Sequence, residues 1–208
     1  GPMLSPTRYQ PDPDKAEFTK EARARLGACE QFEWQGRPES FLEQDVSDKP
    51  AWVQKQKAPP LEKLDQQRKQ QLVSMLAVED AVETLQQRLS ALGISEQTVI
   101  IYMGDNGFAW GDHRYKGKNC AYEECVRVPL IVLDPRYPAP ARKEAGFVLN
   151  VDVPATIGEL AGFSFAHDRP LDGKSFMGLW NGKGGFSRDE VLIECWGNGK
   201  RNNPPIVA

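Results

Sequence analysis

The apolar positions of this chain change rhythm near residue 98, and the expected elements follow from the change. Between Leu61 and Leu92 they recur at threes and fours, through Leu72, Met75, Val78, Val82, Leu85, Leu89 and Leu92, with Leu76 and Ala81 widening the stripe. That spacing predicts one long amphipathic helix. No Pro or Gly interrupts it, and Gly93 stands where a left-handed cap belongs. Its heptads are too few for a coiled coil, so the stripe is expected to pack on a sheet. Glu79, Asp80 and Glu83 read as exposed or N-facing charges of this helix.

After residue 98 the apolar residues come in unbroken runs. Val99–Met103 and Val128–Val132 are short and rich in β-branched side chains, which predicts strands buried on both faces. Phe147–Val151 reads as a further short strand, and Glu190–Trp196 as the first strand of a small C-terminal sheet. Pro135–Ala145 is a loop by composition. Asp152–Gly162 predicts a helix, with Asp152 as N-cap, Pro154 in the first turn and Gly162 after the last apolar residue. The fold class expected is α/β: a partial mixed sheet flanked by helices, followed by the start of a small antiparallel sheet.

Residues 1–60 are rich in Pro, Gln and charge, with little periodicity, and are expected to be an extended excursion. A short helix over Ala16–Leu26 has only a thin apolar face, and Lys15, Lys20, Arg23 and Arg25 read as solvated charges. The divisions expected are therefore 1–60, an α/β core portion over 61–163, and the beginning of a C-terminal subdomain over 164–208.

Composition sets bounds on this picture. A chain of 208 residues can bury a real core, and a formal charge of −3 offers no general surface for nucleic acid. No apolar run approaches the roughly 20 residues of a membrane span, so neither partner is expected. Four cysteines (29, 120, 125 and 195) show no C-x-x-C spacing, and two histidines cannot build a His-rich metal centre. Cys120 and Cys125 are near enough for a disulfide to be conceivable; the reading adopted is two buried free thiols, with the compartment left open. Gly1-Pro2 before Met3 reads as a tag-cleavage scar, and no signal peptide opens the chain, so localisation is not assigned.

The candidate chemistry starts where the first strand ends. Gly104-Asp105-Asn106-Gly107 is ordinary turn sequence, but it also sets two oxygen-bearing side chains where open α/β sheets collect their ligands. Gly111-Asp112-His113, Lys118, Tyr122-Glu123-Glu124 and Arg127-Val128-Pro129-Leu130 follow in order. This ordered series resembles the formylglycine-dependent sulfatases of the alkaline phosphatase superfamily. Arylsulfatases and N-acetylglucosamine-6-sulfatase-like enzymes look closest. Ser40–Val53 resembles a segment that sugar-type sulfatases carry between their catalytic clusters. Leu4–Tyr9 is similar to a family stretch near the active site, and Leu171–Phe176 to a family turn.

The resemblance implies that the chain is a C-terminal portion of the sulfatase core, starting midway through a sulfatase. It implies Asp105 and Asn106 as ligands of Ca²⁺ and Lys118 as a contact to the sulfate. His113 would lie near the substrate or brace its loop. Lys116 reads as a solvent lysine, Tyr122, Glu123 and Arg127 as structural, and Phe108 and Trp110 as lining the approach or filling the core. The family's nucleophile, a formylglycine made within C/S-x-P/A-x-R, has no counterpart here, since no Cys or Ser heads such a motif. No catalytic residue is therefore assigned, and Ca²⁺ is expected to bind weakly or not at all. The expected function is sulfate-ester hydrolysis by the parent enzyme, on a sulfated carbohydrate or other small organic sulfate, with this chain inactive alone. The alternatives are a non-catalytic remnant acting as a binding or assembly partner and, more weakly, a phosphoryl-ester hydrolase of the same superfamily. Homo-oligomerisation or pairing with a complementary N-terminal half is expected from the apolar strands.

Overall fold

The computed structural model describes residues 20–31, 38–138, 140–163, 165, 171–195 and 206–207. Five α-helices occur among them: α1 Lys20–Glu30, α2 Ala51–Gln54, α3 Leu61–Ala91, α4 Glu123–Val126 and α5 Asp152–Leu160. The strands are β1 Ile100–Met103, β2 Ala109–Trp110, β3 Lys116–Gly117, β4 Leu130–Leu133, β5 Glu194–Cys195 and β6 Ile206–Val207. They pair antiparallel as β1 with β4, β2 with β3 and β5 with β6. The fold is a mixed α/β arrangement, with the β5–β6 ladder near its C-terminal end.

The chain forms two compact units, residues 1–95 with 107–127 and residues 96–106 with 128–208. In the first, α3 runs without interruption and closes in a Schellman cap. Gly93 takes φ +68°, its N–H donates to Ser90 C=O, and the N–H of Ile94 donates to Leu89 C=O. Only Leu64 of this helix is fully buried, while Met75 and Leu85 are nearly half exposed. Helix α1 is described from Lys20 and reaches Glu30, past the Leu26 end expected from the sequence; residues 16–19 lie outside the described residues. Arg25 stays partly in solvent, and its guanidinium also pairs with Asp80 at 2.9 Å and Glu79 at 2.6 Å on α3. Val46, Trp52 and Val53, from the Pro-rich N-terminal stretch, are buried, and Trp52 meets Tyr115 edge to face at 5.7 Å.

In the second unit β1 and β4 pair in register from Ile100↔Leu133 to Met103↔Leu130. The expectation of burial on both faces is corrected here: β1 is half-buried throughout, and Ile131 and Leu133 of β4 are 60% and 50% exposed. Along β4 the side chains alternate between half-buried and exposed, because successive residues of a strand point to opposite faces. The strand expected over 147–151 is absent. The N–H of Leu149 donates instead to the Asp152 carboxylate at 2.8 Å, and the N–H of Asp152 to Leu149 C=O at 2.9 Å, which turns the chain into α5. Of the strand expected over 190–196, only Glu194–Cys195 forms, and Trp196 lies outside the described residues.

Asp152 is not an N-cap either. It is the first residue of α5, fully buried, and its carboxylate takes a bidentate ion pair from Arg188 together with the N–H groups of Leu149 and Lys174. Gly173 makes the last of these possible: a Cβ there would fall on the carbonyl oxygen of Val151, so only glycine lets the turn approach α5 so closely. The free-thiol reading of Cys120 and Cys125 is also overturned. They form a disulfide with Cα atoms 5.7 Å apart, inside the usual range for such bonds.

Candidate functional site

The Asp-Asn-Gly turn starts where the β1–β4 ladder runs out. The N–H of Gly104 still donates to Pro129 C=O at 3.1 Å, and the backbone then turns away. Asp105 and Asn106 are exposed there. The turn is ordered from within, because the Asp105 carboxylate accepts the Asn106 N–H at 2.9 Å. It is also tied from outside: Asn150 Nδ2 donates to the Asp105 backbone carbonyl at 3.1 Å. These two residues bring three side-chain oxygens, two of a carboxylate and one of an amide, whereas Ca²⁺ takes about six to eight. No group of three or more His, Cys, Asp or Glu side chains able to hold a metal ion occurs among the described residues. Asp105 and Asn106 by themselves would fill only part of such a shell.

His113 and Lys118 belong to the first unit, in the segment from Gly107 to Arg127. Its two ends are drawn together at the Gly107 N–H, which donates to Cys125 C=O at 2.9 Å. A Cβ on Gly107 would fall on the Glu124 carbonyl oxygen, so the approach requires glycine. At the second end the disulfide closes a short loop from Cys120 to Cys125, with Tyr122 inside it. Lys118 is exposed, directly after β3. Lys116 is not the solvent lysine expected, since its ammonium donates to Gln67 Oε1 on α3. Trp110 is buried with Phe108 against it at 4.6 Å and the Arg68 guanidinium over its ring at 5.7 Å. Glu123 and Arg127 pair with each other at 3.2 Å in full solvent, where such a pair contributes at most about 1 kcal/mol.

Between β2 and β3 the chain makes a tight loop. Gly111 takes φ +114°, and His113 and Arg114 both take left-handed φ values, +50° and +57°. Two consecutive non-glycine residues in that region cost on the order of 1–3 kcal/mol each, so something must hold them. Residues 40–44 do. Phe41 bridges Asp112, the N–H of His113 donates to Ser40 C=O at 2.8 Å, and the N–H of Leu42 donates to Gly111 C=O at 3.0 Å. Arg114 donates through Nε to Glu43 C=O at 2.9 Å and through its terminal nitrogen to Gln44 C=O. Asp112 is buried and accepts from Ser40 Oγ and from the Trp110 N–H, each at 3.0 Å.

The His113 ring is locked the same way. Its Nδ1 lies 2.8 Å from Glu43 Oε2, and its ring packs on Tyr122 with centroids 4.2 Å apart. Lys49 reaches the other Glu43 oxygen at 3.3 Å. The hydrogen bond from His113 holds the Glu43 carboxyl below its ordinary value, with Lys49 adding to it against the opposing effect of burial. Burial pushes the Tyr122 hydroxyl up. Glu43 was missed as a site residue. It stands 70 residues from His113, and no pattern in the chain joins the two.

Known structures place this architecture. The solved structure of BT4656 in complex with its substrate D-glucosamine-2-N,6-O-disulfate superposes with a TM-score of 0.59 at 27% identity, over 65% of this chain and 28% of that one. A phosphonate monoester hydrolase from Silicibacter pomeroyi superposes at 0.58 and 22% identity, a likeness of fold alone. The class is thus the sulfatase and alkaline phosphatase superfamily fold. The chain belongs to the sulfatase family, whose family model matches residues 5–163. It is 35% identical over 154 residues to an arylsulfatase of Volvox carteri and 34% identical over 134 residues to an N-acetylglucosamine-6-sulfatase of Bos taurus. These matches take in 68% and 64% of this chain but only 23% and 24% of the relatives, so the chain spans about a quarter of their length.

Proposed function

We propose that this chain is part of a sulfuric-ester hydrolase acting on a sulfated sugar or a related organic sulfate. The observation that carries the reading is that the segment from Asp105 to Arg127, with its Asp-Asn, Gly-Asp-His, Lys and Arg-Val-Pro-Leu residues in that order, lies inside the family match. The Lys118 ammonium, exposed beside the clasped loop, is suited to hold a sulfate oxygen and to stabilise the charge that gathers as the S–O bond breaks. His113 is suited to meet the sugar or the sulfate from the same loop. Asp105 and Asn106 would contribute oxygens to a Ca²⁺ site in a whole sulfatase, and Ca²⁺ there would act as a Lewis acid toward the sulfate. The chain has no Cys or Ser in a formylglycine motif, so the residues given do not supply that nucleophile.

Purified alone, it should therefore show no aryl-sulfate hydrolysis above buffer, with or without Ca²⁺. Turnover that co-purifies through several columns and vanishes in Lys118→Ala would refute this account of the missing nucleophile. A second reading, a non-catalytic binding or assembly partner, draws support from apolar surface left in water: Met75, Leu85 and Leu92 on one unit, Ile131 and Leu133 on the other. On that reading the chain self-associates or pairs with a complementary sulfatase N-terminal half. Size exclusion with light scattering at micromolar concentration separates the cases, and a stable, cooperatively melting monomer would count against association.

A further inference from the structure

Glu43 carries no role in the sulfatase reading, yet it is the best-placed carboxylate near the candidate loop. It contacts His113 Nδ1 at 2.8 Å and Lys49 Nζ at 3.3 Å, and its own backbone carbonyl accepts from Arg114 Nε. Backbone and side chain of one residue thus grip both left-handed residues of the loop. An ionised carboxylate can only accept hydrogen bonds. Nδ1 must therefore carry a proton, and in the neutral ring Nε2 is left as a bare acceptor. Tyr122 lies against the ring at an interplanar angle of 36°, which fixes its plane, and the side chain stays 16% exposed.

We propose that Glu43 is a positioning residue: it fixes His113 as the Nδ1–H tautomer, so that Nε2 can accept a hydrogen bond from a hydroxyl of the sugar. The second half of this statement rests on the sulfated-sugar reading given above; the first does not. A neutral acceptor suits a hydroxyl and would not bond to a sulfate oxygen, which is itself an acceptor. His113 and Lys118 would then divide the ligand between them, one reading the sugar and the other the anion.

The test uses the whole chain labelled with ¹⁵N. It has two histidines, His113 and His167, so a His113→Gln variant assigns the imidazole signals. Read at alkaline pH, where the ring is neutral, wild type should show His113 with Nδ1 protonated and Nε2 unprotonated. Glu43→Ala should lose that single tautomer, and Glu43→Asp should recover part of it. Lys49→Ala, which loosens Glu43 without touching His113, should keep it. An Nε2–H tautomer in wild type overturns the proposal, and that measurement needs no variant to fold. An unchanged tautomer in a folded Glu43→Ala overturns it as well.

Addition of N-acetylglucosamine 6-sulfate should then shift Nε2 of His113 together with the Lys118 ammonium signal, and inorganic sulfate should shift Lys118 alone. A sulfate-only shift at Nε2, or a sugar-sulfate shift confined to Lys118, overturns the hydroxyl contact. If neither residue responds to either probe, the sulfated-sugar reading fails for this chain and the hydroxyl contact falls with it. The tautomer result still decides the role of Glu43.

Discussion

Asp152→Asn is the substitution whose effect the structure defines most closely. The carboxylate is fully buried, Arg188 opposite it is only 11% exposed, and both oxygens are used twice. Burial pushes the Asp152 carboxyl up, but Arg188 and the N–H groups of Leu149 and Lys174 outweigh it, and the net position is below the ordinary carboxylate value. Asparagine keeps the shape, removes the charge, and turns one acceptor into a donor facing an N–H. Breaking a buried pair from one side costs about 3–5 kcal/mol, because the remaining charge stays buried without a partner. With a urea dependence of about 2 kcal/mol per molar, the midpoint should fall by roughly 2 M. Arg188→Met should do less harm, since the carboxylate keeps its two N–H donors while the new side chain fills the space. Urea denaturation followed by tryptophan fluorescence measures both. A midpoint within 0.3 M of wild type for Asp152→Asn (about 0.6 kcal/mol on the same scale), or a larger loss for Arg188→Met, would refute the reasoning.

Three further outcomes follow from single contacts. Gly107→Ala places a methyl group on the Glu124 carbonyl and should destabilise the first unit by about 1–3 kcal/mol, read as a lower midpoint in the same assay. The Asp134 carboxyl is held at about 2 by its hydrogen bond from Arg136 against the effect of burial, with the Trp180 indole N–H adding to it. A depressed carboxylate gives stability that is complete above its unfolded value near 3.9 and is lost as pH falls through the folded one. The loss should therefore run from about pH 4 down to about 2. Trp180→Phe should raise the Asp134 titration seen by ¹³C NMR, and an unmoved titration would show that the indole is a bystander.

What the sequence disclosed and what it hid divide along physical lines. Helix α3 and its Gly93 cap were legible because a helix of 31 residues repeats its signal many times and ends on a residue with one conformational use. The β1 and β4 strands were legible from their apolar runs, but their burial was not, because it depends on what covers each face. The segment 147–151 has the composition of a strand. It lost its ladder bonds to a single carboxylate, Asp152, whose partner Arg188 lies 36 residues on. The Cys120–Cys125 bond was a matter of the turn between them, which composition does not encode. Among the candidate functional residues, the types at 105, 106, 113 and 118 stood out in the sequence. The contact that orients one of them, Glu43 to His113, is non-local and left no periodic trace.

That separation also sets an order of events on the ribosome. Helix α3 needs only its own residues and can form as soon as they emerge. The grip of residues 40–44 on the loop around His113 cannot, because the loop lies about 70 residues downstream of its holder. At the usual pace of about 5–20 residues per second, residues 40–44 wait roughly 4 to 14 s before their partner exists. During that interval Val46, Trp52 and Val53 have no hairpin to pack under. The nascent chain is then a completed helix flanked by an apolar segment without cover, an arrangement that invites chaperone capture and makes slow codons between Gly93 and Tyr115 a liability.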